Sequence, residues 1–354
     1  MSRVLRLLPS LPLFLLVACH GDVEMTPLVD RKIYITDRFY DVQAVTPEHV
    51  VIVGYGGKVL DSHDAGRNWE VRKSGTDNAL FKVRLVDGKT GWAMGQAGTI
   101  IKTTDGGATW APQQSGTENY LFSFAAPSAD HVIGVGDKAT IVETKDGGAT
   151  WTARQWDAPK SAGVEAGGPT ADADVVAQAP SFYDVKFVDD KNGWIVGEFG
   201  KILRTSDGGA TWKEQEGTLV GGEIVDALSL PTFFGGWFND ATNGVVAGLE
   251  SRVAETANGG DKWAFADVDS QAAVPLFSVK TFPDGSGWAV GSAGQVLHKK
   301  GLGENWQPAD IGMRLFSWIR QVDFADPEHG WMVGGFGTLL RTKDGGKTWV
   351  PMAA

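Results

Sequence analysis

The chain contains one cysteine, Cys19, among 354 residues. An intramolecular disulfide is therefore excluded, and a disulfide-stapled fold with it. Basic residues are also in deficit: 32 lysines and arginines stand against 43 aspartates and glutamates, which gives a formal net charge of −11. Because nucleic-acid binding needs a basic footprint, this balance argues against a nucleic-acid partner.

Long apolar runs are missing except at the N-terminus, where residues 7–18 follow two arginines. This run is too short for a transmembrane helix, which needs about 20 residues, and is typical of a secretory signal. It ends in Leu-Val-Ala-Cys, which resembles a bacterial lipobox. We predict a signal peptide at 1–18, lipidation of Cys19 and a tether at 19–30. The protein would be exported and lipid-anchored at the periplasmic face of the envelope, and His20 favours the outer membrane if the host has two membranes.

Glycine and tryptophan are abundant, at 47 and 14 residues, and they recur in register. Seven glycines are each followed after fifteen residues by one of seven tryptophans, Trp69, Trp110, Trp151, Trp212, Trp263, Trp306 and Trp349. The tryptophans close turns of the type Asp-Gly-Gly-x-Thr-Trp. The first turn residues are Asp64, Asp105, Asp146, Asp207, Asn258 and Asp344, and the sixth repeat has Gly301 at this place. A fixed spacing of this kind is typical of a repeat architecture.

Each repeat predicts four short strands. In the fourth repeat, 182–188 alternates, 194–196 is apolar, 201–205 is a third strand, and Trp212 begins a fourth. The predicted fold is an all-β, seven-bladed β-propeller with Asp-box-like turns. The predicted blades are approximately 39–73, 81–114, 122–156, 182–216, 234–268, 277–310 and 316–354, with 31–36 supplying a strand that closes the last blade.

Three further patterns concern the blades. The turn Asp is expected to accept backbone N–H groups two residues on, and the Trp to be buried between blades. Each repeat opens with an aromatic residue, namely Phe39, Phe81, Phe122, Phe182, Phe234, Phe277 and Phe316. Insertions at 157–180 and 216–232 would enlarge one rim at blades 3 to 5, either as tolerated loop drift or as a partner-binding rim.

No catalytic, cofactor or metal site is predicted. The turn resembles the Asp box of sialidases and some endoglucanases, but the arginines, tyrosine nucleophile and acid/base pair of a sialidase cannot be assigned. A glycan-binding or glycoside-hydrolase propeller stays the alternative. His49, His131 and His329 occupy one repeat position; they are read as turn residues, with a His329–His49 metal pair as the other reading. Asp172 and Asp174 are thin evidence for calcium.

The segments Gly193–Gly197 and Lys201–Trp212, repeated at 91–110, 287–306 and 330–349, resemble the photosystem II stability and assembly factor family of neuraminidase-type repeat proteins. This resemblance implies a non-catalytic, protein-binding assembly or stability factor for an envelope or membrane protein complex. It also implies that binding takes place partly through a basic patch. The domain is expected to be monomeric. The matching basic candidates for partner binding are Lys102, Arg204 and Arg341. Acidic residues interrupt them at the same repeat position, so a solvated strand position is the competing reading.

Overall fold

The computed structural model describes residues 31–157, 179–215, 219–220 and 230–352. Cys19, the signal and the tether lie outside this part of the chain, as do Asp172, Asp174 and most of both insertions. Lys32–Ala354 forms one compact unit. Within the described residues, no helix is long and apolar enough to cross a membrane.

The described residues form seven sheets, each built on four antiparallel strands that follow one another in chain order. Blades 1 to 4 comprise β1 (Phe39–Ala44), β2 (Val50–Gly54), β3 (Val59–Ser62) and β4 (Glu70–Arg72); β5 (Leu80–Leu85), β6 (Gly91–Gly95), β7 (Ile100–Thr103) and β8 (Ala111–Gln113); β9 (Leu121–Ala125), β10 (Val132–Gly136), β11 (Thr140–Thr144) and β12 (Thr152–Gln155); and β13 (Phe182–Phe187), β14 (Gly193–Gly197), β15 (Ile202–Thr205) and β16 (Lys213–Glu214). Blades 5 to 7 comprise β17 (Leu219–Val220), β18 (Phe233–Phe238), β19 (Gly244–Gly248), β20 (Val253–Thr256) and β21 (Trp263–Phe265); β22 (Leu276–Thr281), β23 (Gly287–Gly291), β24 (Val296–Lys299) and β25 (Gln307–Pro308); and β26 (Ile319–Phe324), β27 (Gly330–Gly334), β28 (Leu339–Thr342) and β29 (Val350–Pro351). Blade 5 has a fifth strand because β17 pairs in parallel with β21. The prediction of a seven-bladed β-propeller is confirmed.

The core lies between blades. Buried apolar side chains form seven clusters in the described chain, one for each pair of neighbouring blades, including blades 7 and 1. The ring is therefore closed by the same kind of apolar contact that joins every other pair.

The repeated glycine ends the second strand of every blade for a steric reason. In blade 4, a Cβ at Gly197 would collide with the carbonyl oxygen of Ser181, the residue before the first strand. The residue after the glycine, Glu198, donates its N–H to that same carbonyl at 3.0 Å. The equivalent pair recurs in all seven blades, so the glycine lets two backbones approach closely.

The Asp-box turns keep one hydrogen-bond pattern. In blade 4, Asp207 Oδ1 accepts the backbone N–H of Thr211 at 2.9 Å, and its Oδ2 accepts the Thr211 hydroxyl at 2.6 Å. The N–H partner is four residues on, so the predicted spacing of two is wrong. Asn258 makes the same 2.9 Å bond to Lys262 N–H. The tryptophans that follow are buried, except for the half-buried Trp151.

The predicted closing strand at 31–36 is wrong. Blade 7 takes its outer strand, β29, from its own C-terminus, and β29 pairs with β28. Residues 31–36 form no strand because Asp37 accepts the Tyr34 N–H and closes a turn. Ile33 nevertheless packs into the cluster between blades 7 and 1.

The aromatic residues that open the repeats occupy different positions in their strands. Phe39 and Phe182 are the first, buried residues of their strands, whereas Phe81 is the second residue of its own and Phe316 precedes β26. In every first strand the register shifts at the second residue, which has no paired residue in the neighbouring strand. Such a bulge re-aims a side chain. The second residues line the central channel as a ring of six aromatics closed by Arg320, namely Tyr40, Phe81, Phe122, Tyr183, Phe234 and Phe277.

Candidate protein-binding face

The propeller presents two faces with different side chains. Because strands alternate in direction within a blade, the loops between second and third strands share one face, here called the 2–3 face, with the connections between blades. Ten large apolar side chains are exposed among the described residues. Seven of them lie on the 2–3 face, namely Tyr34, Ile35, Tyr55, Tyr120, Leu249, Phe316 and Phe336. Leu302 lies on the opposite face, and the remaining two lie on outermost strands.

Five of the seven are concentrated around blades 7 and 1. Together with the cations beside them and Trp318 they define the blade 7–1 patch, which consists of Tyr34, Ile35, Arg38, Tyr55, Arg314, Phe316, Trp318 and Phe336. The Arg38 guanidinium lies 5.4 Å from the Tyr55 ring centroid, and that of Arg314 lies 5.9 Å from the Phe316 ring. Exposed aromatic and arginine side chains are the residues enriched at protein interfaces.

Phe336 combines exposure with an unfavourable backbone. Its side chain is 67% exposed, and its φ of 55° lies in the left-handed region that bulky residues rarely adopt. Gly337 follows at φ 65°, so the pair forms the two-residue turn with positive φ that suits a hairpin. The same turn position has a positive φ in every blade, so the turn belongs to the repeat, and what distinguishes Phe336 is its exposed ring.

The patch continues into the channel mouth. Tyr40 stacks on Trp318 with ring centroids 5.8 Å apart and planes 4° from parallel. Burial raises the pKa of the Tyr40 hydroxyl, so the ring carries no charge at neutral pH. Burial also lowers the pKa of Arg320 below its ordinary value, against the opposing effect of Asp184 and Asp41.

Deeper in the channel, three carboxylates are saturated by partners. Asp41 accepts Val83 N–H at 2.9 Å and Arg84 at 2.7 Å. Asp184 and Asp323 likewise accept a backbone N–H from the next blade, and Lys186 or Lys280 lies beside them. The cavity lined by Asp184, Lys186 and the ring of aromatics has a volume of about 20 Å³, about enough for one water molecule.

The structure does not bring the three predicted basic residues together, because Lys102, Arg204 and Arg341 lie in blades 2, 4 and 7. Each lies over the Trp of the second strand, at 5.5–5.6 Å from Trp92, Trp194 and Trp331. Lys102 and Arg341 also donate to a carbonyl in the turn of the following blade.

The alternation of charge at this position follows the neighbouring strand. Blades with a second-strand Trp pair it across the strands with a basic residue or His298. Blades 1, 3 and 5 instead pair an aliphatic residue with an acid, Asp61, Glu143 and Glu255. A basic residue therefore occurs at this position where the neighbouring strand carries a Trp, because the cation and the indole ring attract each other.

The residues of the blade 7–1 patch were missed from the sequence, apart from Phe316 and the pair Tyr34 and Ile35, which were assigned to other roles. Their signal is weak, because they are single side chains in loops whose composition varies from blade to blade. All three equivalent histidines contact acids of their own blade, His131 with Glu143 and His329 with Asp326 at 2.9 Å, and His49 with Asp61 at 3.2 Å.

Comparison with known proteins gives a consistent result. The family model described as photosynthesis system II assembly factor YCF48 matches residues 23–117, 171–231, 231–317 and 309–353. A curated relative, photosystem II assembly lipoprotein Ycf48 of Prochlorococcus marinus (strain NATL2A), is 66% identical over 32 residues. That match spans 9% of this chain and 10% of the relative.

Solved structures show the same fold. YCF48 from Cyanidioschyzon merolae aligns with a TM-score of 0.65 at 18% identity, over 87% of this chain and 96% of that chain. A structure titled YCF48 bound to D1 peptide aligns with a TM-score of 0.58 at 21% identity, over 77% and 81%. An ancestral GH74 enzyme aligns with a TM-score of 0.66 at 13% identity, over 88% of this chain and 45% of that chain. At these identities the likeness concerns the fold.

Proposed function

Because the chain belongs to the family of the photosynthesis system II assembly factor YCF48, we propose that it is a non-catalytic assembly or stability factor that binds a segment of a membrane protein. The observation that carries this proposal is the blade 7–1 patch, where exposed aromatics and arginines share one face. The YCF48 that was solved in complex with a D1 peptide has the same fold as this chain.

The chemistry of the patch indicates what it would bind. Exposed guanidinium groups of Arg38 and Arg314 select carboxylates, and the rings beside them offer apolar area. The partner segment would therefore carry acidic residues next to apolar ones. The chain as a whole carries a net charge of −11. The arginines of the patch would attract an acidic partner to this area.

The non-catalytic part of the proposal rests on the channel. A glycosidase needs two carboxyl groups free to act on substrate. Asp41, Asp184 and Asp323 are instead engaged by backbone N–H groups and cations, and the cavity beside Asp184 has no room for a sugar. These observations support a binding protein over the glycan-processing alternative.

We propose that a lipid on Cys19 holds the propeller at the envelope surface, where a membrane partner is accessible. The support is the lipobox-like sequence and the name of the curated relative, which is a lipoprotein. Replacing Cys19 by Ser should release the protein from the membrane fraction while leaving its fold intact.

The partner-binding face can be tested by site-specific cross-linking in intact cells. A photo-reactive phenylalanine analogue would be placed at Phe336, and in a matched control at Leu302, which is 87% exposed on the opposite face. We expect mass spectrometry to find one recurrent membrane-protein partner from position 336 and none from 302. Arg314→Glu should weaken the cross-link, and Arg67→Glu, an exposed arginine of the opposite face, should not.

The proposal would be wrong if position 336 gave no recurrent partner under any growth condition. Equal cross-linking from both positions would also contradict it. Turnover of glycoside reporter substrates, lost on changing Asp41 or Asp184, would replace it by the enzymatic reading.

A further inference from the structure

Blade 1 gathers two imidazoles and a carboxylate on the face opposite the blade 7–1 patch. His49 precedes β2, Asp61 lies in β3, and His63 follows it. The β2–β3 pairing of Val50 with Ser62 and of Val51 with Asp61 brings these three residues together. Three different positions of one hairpin thus supply three side chains that can bind a metal.

The distances bring three ligand atoms close together, with the two imidazoles approaching different oxygens of Asp61. His49 Nε2 lies 3.2 Å from Asp61 Oδ1, and His63 Nε2 lies 3.3 Å from Asp61 Oδ2. One ligand atom from each residue lies within 4.8 Å of the others. A tetrahedral ion with bonds of about 2.0–2.1 Å sets its ligands about 3.3 Å apart.

Two of these atoms lack a well-formed hydrogen bond. Asp61 is 1% exposed and His49 is 9% exposed, and Asp61 Oδ1 and His49 Nε2 face only each other, 3.2 Å apart in a geometry that is poor for a hydrogen bond. Buried polar groups in native proteins are almost always well satisfied, so this pair calls for an explanation. A cation between them satisfies both atoms at once.

The carboxylate is held in place from its other side. Arg72 donates to Asp61 Oδ2 through Nη2 at 2.9 Å and through Nε at 3.1 Å. Oδ1 is left to face the imidazole of His49. An outer partner that orients a ligating carboxylate in this way is usual in metal sites.

Blade 3 offers an internal comparison at the same repeat positions. There His131 Nε2 lies 2.9 Å from Glu143 Oε1, and Lys145 occupies the place of His63 at 3.2 Å from the same oxygen. In blade 3 the protein supplies the cation itself. In blade 1 an imidazole replaces the ammonium, and an imidazole can hold a metal instead.

We propose that His49, Asp61 and His63 bind one divalent first-row transition-metal ion of the zinc class. Two nitrogen donors favour such an ion over calcium or magnesium, which prefer oxygen ligands. His63 is exposed, with 60% of its side chain accessible, so water completes the coordination. The bound ion would clamp β2 to β3 in blade 1, one of the two blades that meet where the ring closes.

Zinc binding can be measured on the untagged full chain in detergent after treatment with EDTA. Calorimetric titration with zinc chloride should show one equivalent of bound zinc. Thermal unfolding in the presence of zinc should give a higher Tm. Titration with Co²⁺ should give the visible absorption of a tetrahedral site with nitrogen ligands. No saturable binding of either ion would overturn the proposal.

Three variants locate the site. His63→Lys copies blade 3 at an exposed position and should lower the affinity for zinc at least tenfold while the near-ultraviolet circular dichroism stays unchanged. His131→Gln removes the equivalent histidine of blade 3 and should leave the affinity unchanged. Lys145→His should add a second, weaker equivalent.

Unaltered binding in His63→Lys would overturn the proposal, because the ion would then sit elsewhere. A loss of affinity in His131→Gln equal to that in His63→Lys would do the same. Failure of Lys145→His to gain a second equivalent would count against the geometric argument. None of these outcomes bears on the blade 7–1 patch, since the two sites lie on opposite faces.

Discussion

Asp323 accepts the backbone N–H of Ala44 at 3.1 Å, although 279 residues separate them in the chain. The same carboxylate lies 2.7 Å from Lys280 Nζ, and both side chains are 10% exposed. One aspartate therefore joins blades 6, 7 and 1 across the point where the ring closes. The contact combines a hydrogen bond from the backbone of blade 1 with a buried ion pair to blade 6.

Replacing Asp323 by Ala should destabilise the whole propeller, because Lys280 would be left as an uncompensated buried charge. Breaking a buried pair of this kind costs about 3–5 kcal/mol, to be measured as the loss of free energy of unfolding in urea. Asp323→Asn keeps an acceptor for Ala44 and should fall between. The control is Asp326→Ala, a more exposed aspartate paired with His329, which should cost less than about 1 kcal/mol. Equal losses in both alanine variants would contradict this role.

Gly197→Ala should also destabilise the fold, because the new Cβ would collide with the Ser181 carbonyl oxygen. Overpacking against backbone costs about 1–3 kcal/mol, and occasionally more, and should lower Tm by several degrees. Gly301→Ala is the matched control, since the nearest atom to its Cβ would be 3.8 Å away and its φ is not positive. A Tm loss in Gly301→Ala as large as in Gly197→Ala would show that the collision is not the cause.

The fold could be predicted from the sequence because the repeated residues each serve one fixed contact. The glycine that ends each second strand meets a carbonyl, and the turn Asp satisfies the same N–H in blade after blade. Contacts that recur in register leave a pattern that counting can find. The number and boundaries of blades follow from it.

Other features depend on neighbours that the sequence does not align. The bulge in each first strand separates Phe39 from Phe81 by one register position, and a count of aromatics cannot detect this. The charges at Lys102 and Asp61 look arbitrary until the residues paired with them, Trp92 and Val51, are known. The blade 7–1 patch arises from loops that are distant in the chain, and no repeat marks it.

Residues 31–36 have the alternating apolar pattern of a strand, but they contribute to the closure of the ring through one buried side chain. Ile33 is 4% exposed in the cluster between blades 7 and 1, whereas Ile35 is 77% exposed. Ile33→Ala should cost about 2–5 kcal/mol of unfolding free energy, as is usual for a buried Ile. Ile35→Ala is the matched control and should change it by no more than about 0.5 kcal/mol. Similar small effects in both variants would mean that the segment does not contribute to closure.

The Asp-box turns predict an acid limit to stability. Hydrogen bonds from the Thr211 side chain and backbone, with a further one from Thr205, lower the pKa of Asp207 from 3.8 to about 2. Asp146 and Asp344 are lowered to about 2 by the equivalent threonines. A carboxyl whose pKa is lower in the folded state stabilises that state above the unfolded pKa and loses the contribution as pH falls through the folded one. The turns should thus stabilise fully above about pH 4 and progressively less down to about pH 2.

Tm measured between pH 7 and pH 2 should fall most steeply in that window. Asp207→Asn should retain the turn, as Asn258 does with the same 2.9 Å bond, but should reduce the dependence on pH because an amide does not titrate. Asp207→Ala should lower Tm at neutral pH as well, since the Thr211 N–H loses its acceptor. If Asp207→Asn reproduced the full acid dependence of the parent chain, the lowered pKa of this turn would not be its source, and the buried channel carboxylates Asp41, Asp184 and Asp323 would be the groups to examine next.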